Sequence, residues 1–247
     1  MRISGFGRPA LNIWVAAALL AGCGGVPQPI GAAGAMPQTC CGPSSVKYEV
    51  LYSFGGSGDG VNPYAGLFSV KGTLYGTTQY GGGAGGEGTV FSVSASGKET
   101  VLHSFGPYGE GDGEQPYAGL MKADGKLYGT TERGGTHGWG SVFKVTPAGK
   151  ESVLHSFGGA GDGEEPNAGL IALNGTLYGT TALGGANGDG IVFAITDSGV
   201  ETVLHNFGGA GDGVNPQAAL LNVKGTLYGT TEGGGAKGAG TVFTITP

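Results

Sequence analysis

Short runs in which apolar and polar residues alternate fill the chain from residue 47 onward. In one stretch, Ala168–Leu173 is followed after Asn174-Gly175 by Thr176–Thr181. A few residues later, Ile191–Thr196 is followed after a short turn by Glu201–Phe207. Alternation with a period of two predicts β-strands, and a two-residue Asn-Gly turn between two such runs predicts a hairpin. The stretch is therefore predicted to be two hairpins that form one four-stranded antiparallel sheet.

This unit recurs along the chain with a period of about 50 residues. The motif Leu-Tyr-Gly-Thr-Thr begins at Leu74, Leu127, Leu177 and Leu227. The motif Gly-(Thr/Ser/Ile)-Val-Phe begins at Gly88, Gly140, Gly190 and Gly240. A single sheet of this kind cannot bury both of its faces, so successive repeats must pack on one another. An all-β protein of four repeats is therefore predicted, and radial packing would make each repeat one blade of a β-propeller.

The phase of the repeats suggests how such a propeller closes. Tyr48–Phe54 matches the fourth strand of a unit, and Thr241–Thr246 matches a third strand. If the first strand completes the last sheet, the ring has four blades and is closed by the N-terminal strand. Two alternatives stay open at this point: another propeller assembly, such as a head-to-head dimer with eight blades, and an open solenoid. The solenoid would leave apolar end faces and unpaired strand edges.

Glycine accounts for 57 of the 247 residues, and only 12% of the residues are charged. Average glycine usage is about 7%, so this chain is strongly enriched. The glycines follow no three-residue period, which excludes collagen, and many stand where tight turns need a positive φ. Pairs of glycines recur at Gly81-Gly82, Gly134-Gly135, Gly184-Gly185 and Gly234-Gly235. We interpret these pairs as conformational, in a loop that crosses close to neighbouring backbone.

The N-terminus carries the three parts of a secretory signal. Arg2 and Arg8 precede an apolar stretch, Ala10–Leu20, which is shorter than the roughly 20 residues of a spanning helix. The following Leu20-Ala21-Gly22-Cys23 resembles a bacterial lipobox, in which cleavage precedes the cysteine and the cysteine is acylated. We therefore predict a signal peptide at 1–22, a lipidated tether at 23–46 that begins with Cys23, and the repeat body at 47–247.

The charge and the cysteines narrow the range of partners. The formal net charge is −6, and removal of the signal peptide takes away two arginines. An acidic protein is a poor partner for nucleic acid or for a polybasic attachment to membranes. The repeats contain no cysteine, so neither a disulfide framework nor a thiolate metal cluster is expected in them. Cys40 and Cys41 are adjacent, and whether they form a strained vicinal disulfide stays open.

The repeated motifs resemble the GloVer tandem repeat. The resemblance rests on Leu-Tyr-Gly-Thr-Thr, Gly-Thr-Val-Phe, Gly-x-Glu-Thr-Val-Leu-His-Ser-Phe and Asp-Gly-x-x-Pro, and it spans about 47–247. That family comprises secreted or surface proteins of bacteria with various anchors, including lipobox forms. The resemblance implies no catalytic residue and no cofactor. This chain departs from the pattern at the insertion Pro107–Gly111 and at the irregular residues His137 and Trp139.

Repeated polar residues suggest metal sites but also have simpler explanations. Histidine recurs at His103, His155 and His205, where the first copy has Tyr52, and aspartate recurs at Asp59, Asp112, Asp162 and Asp212. Three histidines can bind zinc, but strands of different blades would hold these apart, so we favour packed histidines. Each aspartate loop has too few fixed carboxylates for the six to eight oxygens around calcium, so we favour Asx-type turns. No cofactor is therefore expected, and calcium at these four aspartates is the alternative.

Residues that do not recur are the better candidates for a binding site. Arg133, His137 and Trp139 share one loop between strands, and Gln79, Glu132 and Glu232 begin equivalent loops. A tryptophan beside polar groups could stack on a sugar ring. The chain contains no serine elbow, phosphate loop or zinc-protease helix motif. We therefore predict a noncatalytic, lipid-anchored module of the bacterial envelope, at the outer membrane or cell surface, that binds carbohydrate or protein. The alternative is a polysaccharide hydrolase or lyase with its site at the propeller mouth.

Overall fold

The structure, a computed structural model, describes residues 47–83, 85–107 and 111–247. The chain divides into the units Met1–Lys47 and Tyr48–Pro247. The predicted signal peptide and tether, with Cys23, Cys40 and Cys41, lie outside the described residues. Across the described part of the chain, no helix has the length and apolarity needed to cross a bilayer.

The described residues form an all-β structure of four repeats, as predicted. The first repeat contains β1 (Gly60–Val61), β2 (Phe68–Val70), β3 (Thr73–Thr78), β4 (Tyr80–Gly81), β5 (Thr89–Val93) and β6 (Glu99–Ser104). The second contains β7 (Gly113–Glu114), β8 (Met121–Ala123), β9 (Lys126–Thr131), β10 (Arg133–Gly134), β11 (Ser141–Val145) and β12 (Glu151–Ser156). The third contains β13 (Gly163–Glu164), β14 (Ile171–Leu173), β15 (Thr176–Thr181), β16 (Leu183–Gly184), β17 (Ile191–Ile195) and β18 (Glu201–Asn206). The fourth contains β19 (Gly213–Val214), β20 (Leu221–Val223), β21 (Thr226–Thr231), β22 (Gly233–Gly234) and β23 (Thr241–Ile245).

Each repeat builds one antiparallel sheet and one short two-stranded pair. Sheet I has the order β2-β3-β5-β6, sheet II β8-β9-β11-β12, sheet III β14-β15-β17-β18 and sheet IV β20-β21-β23. The short pairs are β1-β4, β7-β10, β13-β16 and β19-β22. The two predicted hairpins of each unit are therefore confirmed in sheets I to III, while sheet IV has three strands. These meander sheets are the blade-like elements of a propeller-like, all-β fold.

The hairpin between the first two strands of each sheet turns on two residues with positive φ. In sheet III these are Asn174 at 53° and Gly175 at 80°. Two consecutive positive φ values define the turn that best matches the twist of flanking strands, and Asn-Gly is its preferred sequence. The strand before this turn starts at Ile171 and not at Ala168 as predicted. Its predicted first part packs instead against the second repeat, since a Cβ on Gly169 would lie 3.4 Å from the Gly119 carbonyl oxygen.

The double glycines have the conformational role that the sequence indicated. Gly134 takes a φ of 77° in the short pair with β7, where it lies opposite Gly113. A Cβ at Gly134 would stand 2.6 Å from the carbonyl oxygen of Asp112, closer than any side chain can approach. The loop can therefore cross the neighbouring backbone only with glycine at this position.

The core lies between successive sheets. Val90 and Phe105 of the first repeat pack with Leu127 and Phe143 of the second, and a similar cluster joins each later pair of sheets. The Phe143 ring covers Gly129, where a Cβ would lie 2.5 Å from the ring. The glycine in Leu-Tyr-Gly-Thr-Thr therefore makes room for the aromatic ring of the paired strand in the same sheet.

The predicted closure of a four-bladed ring is not found. Among the described residues, Tyr48–Phe54 forms no strand, and β23 pairs with β21 alone. The segment packs on sheet I, where the Phe54 ring lies 4.9 Å from the Phe91 ring in an edge-to-face arrangement. The alternation in 48–54 thus identified a repeat element, but not whether the segment would pair with β23.

Candidate functional site

The recurring aspartates and histidines meet at the junctions between repeats. His155 Nε2 lies 2.9 Å from Asp162 Oδ2, and His205 Nε2 lies 2.8 Å from Asp212 Oδ2. His103 lies 3.2 Å from Asp112, and in the first copy the Tyr52 hydroxyl donates to Asp59 at 2.8 Å. Because a tyrosine hydroxyl replaces the imidazole without changing the contact, the common feature is donation of a hydrogen bond to the aspartate.

Backbone amides complete the environment of each aspartate. Gly106 N donates to Asp112 Oδ2 at 3.0 Å, and Gly113 N donates to Asp112 Oδ1 at 2.7 Å. Burial pushes the pKa of Asp112 upward, but the hydrogen bonds from His103 and the two amides outweigh it, so the pKa lies below its usual range. The aspartates that were the calcium candidates, Asp59, Asp112, Asp162 and Asp212, each accept such local hydrogen bonds. A calcium ion at these loops would have to displace those donors.

A glutamate from the last strand of a sheet approaches three of the four aspartates, Asp59, Asp112 and Asp162. Glu151 of β12 faces Asp112, and burial together with that negative charge raises the pKa of Glu151 to about 7. Burial and the facing aspartate likewise raise the pKa of Glu99 and of Glu201. One carboxylate oxygen of each of these three glutamates is buried and has no hydrogen-bond partner. These glutamates were not predicted from the sequence, since a glutamate at the start of a strand looks like an ordinary surface residue.

Two of these junctions have a donor set that could hold a metal ion. The ligand atoms of His103, Asp112 and Glu151 all lie within 4.8 Å of one another, as do those of His155, Asp162 and Glu201. One imidazole and two carboxylates form a set that zinc accepts. At the first junction Tyr52 replaces the histidine, so the arrangement of the junction does not depend on a metal ligand at that position.

The paired threonines serve the scaffold. Thr77 Oγ1 donates to the Ala118 carbonyl oxygen of the next repeat at 3.0 Å, and Thr130 Oγ1 donates to Ala168 in the same way. The second threonine of the motif bonds within its own sheet, as in the 2.8 Å contact between the hydroxyls of Thr131 and Ser141. These hydroxyls therefore join strands and sheets.

The residues that do not recur come together once, between the second and third repeats. Arg133 lies in β10, opposite Glu114 of β7, and Trp139 is bridged to Gly134 in the adjacent turn. The Arg133 guanidinium lies 5.7 Å from the centre of the Trp139 ring. The structure therefore brings Arg133 and Trp139 into a cation–π contact, with Trp139 38% exposed to solvent.

Two carboxylates hold the guanidinium in this position. Arg133 Nη2 lies 2.7 Å from Glu165 Oε1, and Arg133 Nε lies 3.8 Å from Glu132 Oε1. Burial raises the pKa of Glu132, against the opposing effect of Arg133. Glu165 comes from the third repeat, and its amide donates to the Trp139 carbonyl oxygen at 3.0 Å. We call Glu132, Arg133, Trp139 and Glu165 the Arg133 cluster.

The remaining sequence candidates lie outside the Arg133 cluster or at its margin. His137 is exposed on the turn that precedes Trp139. Gln79 and Glu232 occupy the position of Glu132 in the first and fourth repeats, and their amides donate to the Asn62 and Asn215 carbonyl oxygens. Among the described residues, no hydrogen bond or ion pair joins the side chain of Gln79 or Glu232 to the Arg133 cluster. No contact among the described residues therefore supports the prediction that Gln79 and Glu232 share a site with Arg133.

A row of side chains near Glu165 was not singled out from the sequence. Tyr64 and Tyr117 follow the repeated prolines of the first two repeats, and their rings stack with centres 5.2 Å apart. The same positions in the last two repeats are Asn167 and Gln217, whose side chains are hydrogen-bonded at 3.1 Å. Both tyrosines are exposed. Their fixed distance behind each proline was the signal that could have identified them.

The sequence matches one protein family over almost all of the described body. A profile of the Gloeobacter/Verrucomicrobia repeat matches residues 41–175 and 138–247. The chain therefore belongs to this repeat family, which confirms the resemblance drawn from its motifs. The match begins after Cys23 and does not test the lipobox. No curated protein sequence is similar to the chain.

Solved structures with a similar arrangement of strands are distant in sequence. Virginiamycin B lyase from Staphylococcus aureus is 18% identical, with a TM-score of 0.47, and the match covers 74% of this chain and 56% of that protein. A gluconolactonase from Xanthomonas campestris is 18% identical, with a TM-score of 0.44 and coverage of 69% and 55%. A streptogramin B lyase is 17% identical, with a TM-score of 0.44 and coverage of 74% and 55%. This chain thus spans little more than half the length of each of these structures.

Proposed function

We propose that this member of the Gloeobacter/Verrucomicrobia repeat family is a lipid-anchored module of the bacterial cell envelope that binds carbohydrate and does not turn it over. The observation that supports binding is the Arg133 cluster, which places a partly exposed indole beside one guanidinium and two carboxylates. A sugar ring offers an apolar face for stacking and hydroxyl groups for hydrogen bonds. The cluster supplies both kinds of contact within one small surface.

The pairing of the carboxylates supports binding without catalysis. Hydrolysis of a glycosidic bond needs two carboxyl groups on either side of the bond, one of them protonated to act as the acid. Here Glu165 is bound to Arg133 at 2.7 Å, and Glu132 faces the same guanidinium. The short ion pair with Arg133 already engages an oxygen of Glu165, which favours this carboxylate as a hydrogen-bond acceptor. Glu165 is thus placed to hold sugar hydroxyls beside the indole.

The first experiment is a glycan-binding screen of the full chain, followed by titration of the tightest glycan. We expect Trp139→Ala to weaken that binding by about tenfold or more, because stacking on the indole is lost. Tyr80→Ala is the matched control, since Tyr80 is exposed to a similar degree in the corresponding loop of the first repeat. Equal effects of the two substitutions, or no glycan bound at all, would contradict the proposal.

The absence of turnover is tested on the same glycan. We expect no new reducing ends or unsaturated products after prolonged incubation. If products appear, and if Glu165→Gln or Glu132→Gln abolishes them while binding persists, the protein is a hydrolase or lyase and the noncatalytic role is wrong.

The lipid anchor is tested separately, because it rests on the sequence alone. Cys23 follows Leu20-Ala21-Gly22 at the end of an apolar stretch. We expect Cys23→Ala to move the protein from the membrane fraction to the soluble fraction, with Cys40→Ala as the control that leaves it in the membrane fraction. Unchanged membrane retention of Cys23→Ala would rule out the lipobox interpretation.

A further inference from the structure

One aromatic contact recurs wherever a sheet packs against the strand or segment that precedes its repeat in the chain. The phenylalanine that follows the last strand of one sheet packs edge-to-face on a phenylalanine of the next sheet. The ring centres are 5.1 Å apart for Phe105 and Phe143, and 5.0 Å apart for Phe157 and Phe193. Phe54 makes the same contact with Phe91 at 4.9 Å. The segment 48–54 thus lies against sheet I as a fourth strand would, although it has no sheet of its own.

The face of sheet I beside this segment is incompletely covered. A cavity of about 370 Å³ lies there, lined by apolar side chains that include Leu51, Phe54, Leu67 and Leu74. Leu67 is 57% exposed, whereas Leu120, its counterpart in the second repeat, is 7% exposed. The difference arises because Phe68 and Tyr75 of sheet I pack on the Leu120 cluster. Within the part of the chain that the structure describes, no side chains corresponding to these two lie against sheet I.

On sheet IV, the face that each other sheet packs on its following sheet is not covered by any of the described residues. Val242 is 77% exposed, while its counterparts Val142 and Val192 are completely buried against the next sheet. Leu221 and Tyr228, the counterparts of Phe68 and Tyr75, are also exposed. One edge of β23 is unpaired, whereas β5, β11 and β17 each pair on both sides. Sheet IV therefore has the exposed side chains that could cover sheet I and a free strand edge. It has no fourth strand, and 48–54 matches that strand in sequence.

We propose that the two surfaces bind each other between two copies of this chain. Segment 48–54 of one copy adds to β23 of the other as its fourth strand. Leu221 and Tyr228 of that other copy fill the cavity on sheet I of the first. The interface continues the arrangement seen at three junctions within the chain, so it needs no new kind of contact. The proposal concerns assembly and is independent of the Arg133 cluster and of carbohydrate binding.

The repeated register predicts which residues meet. Val90 pairs with His103, Val142 with His155 and Val192 with His205. By the same register, Val242 pairs with Tyr52 of the second copy. Ser92 pairs with Thr100, and Lys144 with Ser152, so Thr244 pairs with Glu49 of the second copy.

The segment 48–54 has a tyrosine, Tyr48, where the corresponding strands have a glutamate, and this difference fits the proposed register. Ile195 pairs with Glu201, and Glu201 faces Asp162. The corresponding pair at the joint is Ile245 with Tyr48 of the second copy, which faces Asp212. A phenol can donate a hydrogen bond to this aspartate, whereas the glutamates at the other junctions bring a second carboxylate. The joint therefore avoids bringing a second carboxylate against the aspartate, as Glu201 is brought against Asp162.

The assembly is head to tail, because the two surfaces complement each other and neither complements itself. Joining two copies at both ends gives a closed ring of eight sheets, which is within the range known for propellers. Closure matters, since a head-to-tail contact that does not close builds open fibres. Both apolar surfaces and both free strand edges are covered in the ring.

Cross-linking between cysteines tests the register in the full chain. Glu49→Cys and Thr244→Cys are placed on separate chains with different tags and expressed together, with the parent chain as the control for its natural cysteines. We expect a disulfide-linked pair that carries both tags. Glu49→Cys expressed with Ser198→Cys, an exposed turn residue, should give none. If no mixed pair forms, or if the Glu49→Cys, Thr244→Cys double variant links only within one chain, the proposal is wrong.

The solution mass gives a second measurement that does not depend on disulfide formation. We expect the full chain in mild detergent to have twice the protein mass of one chain by light scattering. Val242→Glu should halve that mass without altering the β-sheet spectrum, because this side chain is solvent-exposed in the single chain. Val200→Glu, at another exposed valine, should leave the mass unchanged. A parent protein with the mass of one chain, or a dimer that Val242→Glu leaves intact, would overturn the proposal.

Discussion

The junction between the second and third repeats contains two polar clusters of different character. The hydrogen bond between His155 and Asp162 recurs, with one tyrosine replacement, at the other junctions, and Glu201 joins it here. The Arg133 cluster occurs there once, because no other repeat has an arginine and a tryptophan at those positions. A contact that recurs at every junction is needed to join sheets, whereas a contact that occurs once is free to serve a ligand. The comparison separates the residues of the fold from the candidates for function, and it makes opposite predictions for the two groups.

The largest effect is expected from the aromatic contact beside the recurring cluster. Phe157 is fully buried and packs against Phe193. Phe157→Ala should lower the free energy of unfolding by about 3 to 5 kcal/mol, because it leaves a cavity between sheets II and III. Phe54→Ala makes the same change at sheet I, where the ring is half-buried, and should cost less. Chemical denaturation of both variants checks this, and equal losses would show that the segment 48–54 is as firmly packed as an internal strand.

The next effect concerns the aspartate of the recurring cluster. Asp162→Ala leaves His155 and the Gly163 amide without their acceptor, so we expect a loss of about 1 to 3 kcal/mol in unfolding free energy. Asp212→Ala should cost less, because the His205–Asp212 pair is more exposed. Glycan binding should be unchanged in both variants. A large loss of glycan binding with little loss of stability would show that these aspartates act in ligand binding and not in joining the sheets.

A smaller effect, of opposite sign, is expected from Glu151. Its pKa is raised from 4.5 to about 7, so the folded chain holds this proton more tightly than the unfolded chain does. Ionisation of Glu151 therefore costs stability, and the cost grows as the pH rises through this interval. Glu151→Gln should stabilise the protein by about 1 kcal/mol at about pH 8 and by nothing near pH 4, with allowance for solvent screening. Unfolding curves at both pH values check this against Glu232→Gln, and a variant that is less stable than the parent at the higher pH contradicts it.

The smallest change in unfolding free energy is expected at Trp139, the residue whose substitution should weaken glycan binding most. Trp139 is partly exposed, so Trp139→Ala should alter the unfolding free energy by no more than about 1 kcal/mol. Thermal unfolding of the variant used in the glycan titration provides the measurement. If Trp139→Ala unfolds the protein as Phe157→Ala does, the Arg133 cluster belongs to the fold, and its loss of binding would carry no information about a site.

Local chemistry in the sequence predicted the repeats, the hairpins and the double glycines. Asn174-Gly175 adopts the positive φ values that its sequence favours, and Gly134 is needed where backbone segments cross. The predicted pairing of the segment 48–54 with β23 is not found within the described chain, since alternation identifies a strand but not the edge on which it will lie. Strand partners are decided by long-range packing, which a single period of the sequence does not encode.

The candidate site was predicted in part. Arg133, Glu132 and Trp139 are neighbours in the sequence, and the structure brings them together. Glu165 was missed because it comes from the next repeat and meets Arg133 only when the sheets stack. Gln79 and Glu232 hold the position of Glu132 in other repeats. Equivalent positions lie one per repeat, at different places along the protein, and so do not meet at one site. The residues of the candidate site are therefore those that lie within reach of the Arg133 side chain, whichever repeat they come from.

The core is divided into clusters that each join only two successive sheets. Protection of backbone amides from hydrogen exchange should therefore vary along the chain in steps. The amides of β9 and β15 lie in sheets with neighbours on both faces and should open only when the whole body unfolds. Those of β20 and β21 lie in a sheet with one neighbour, so they can open locally at a lower free energy. Dilution of the protein would widen this difference if copies associate, since a dissociated chain loses the cover on its last sheet.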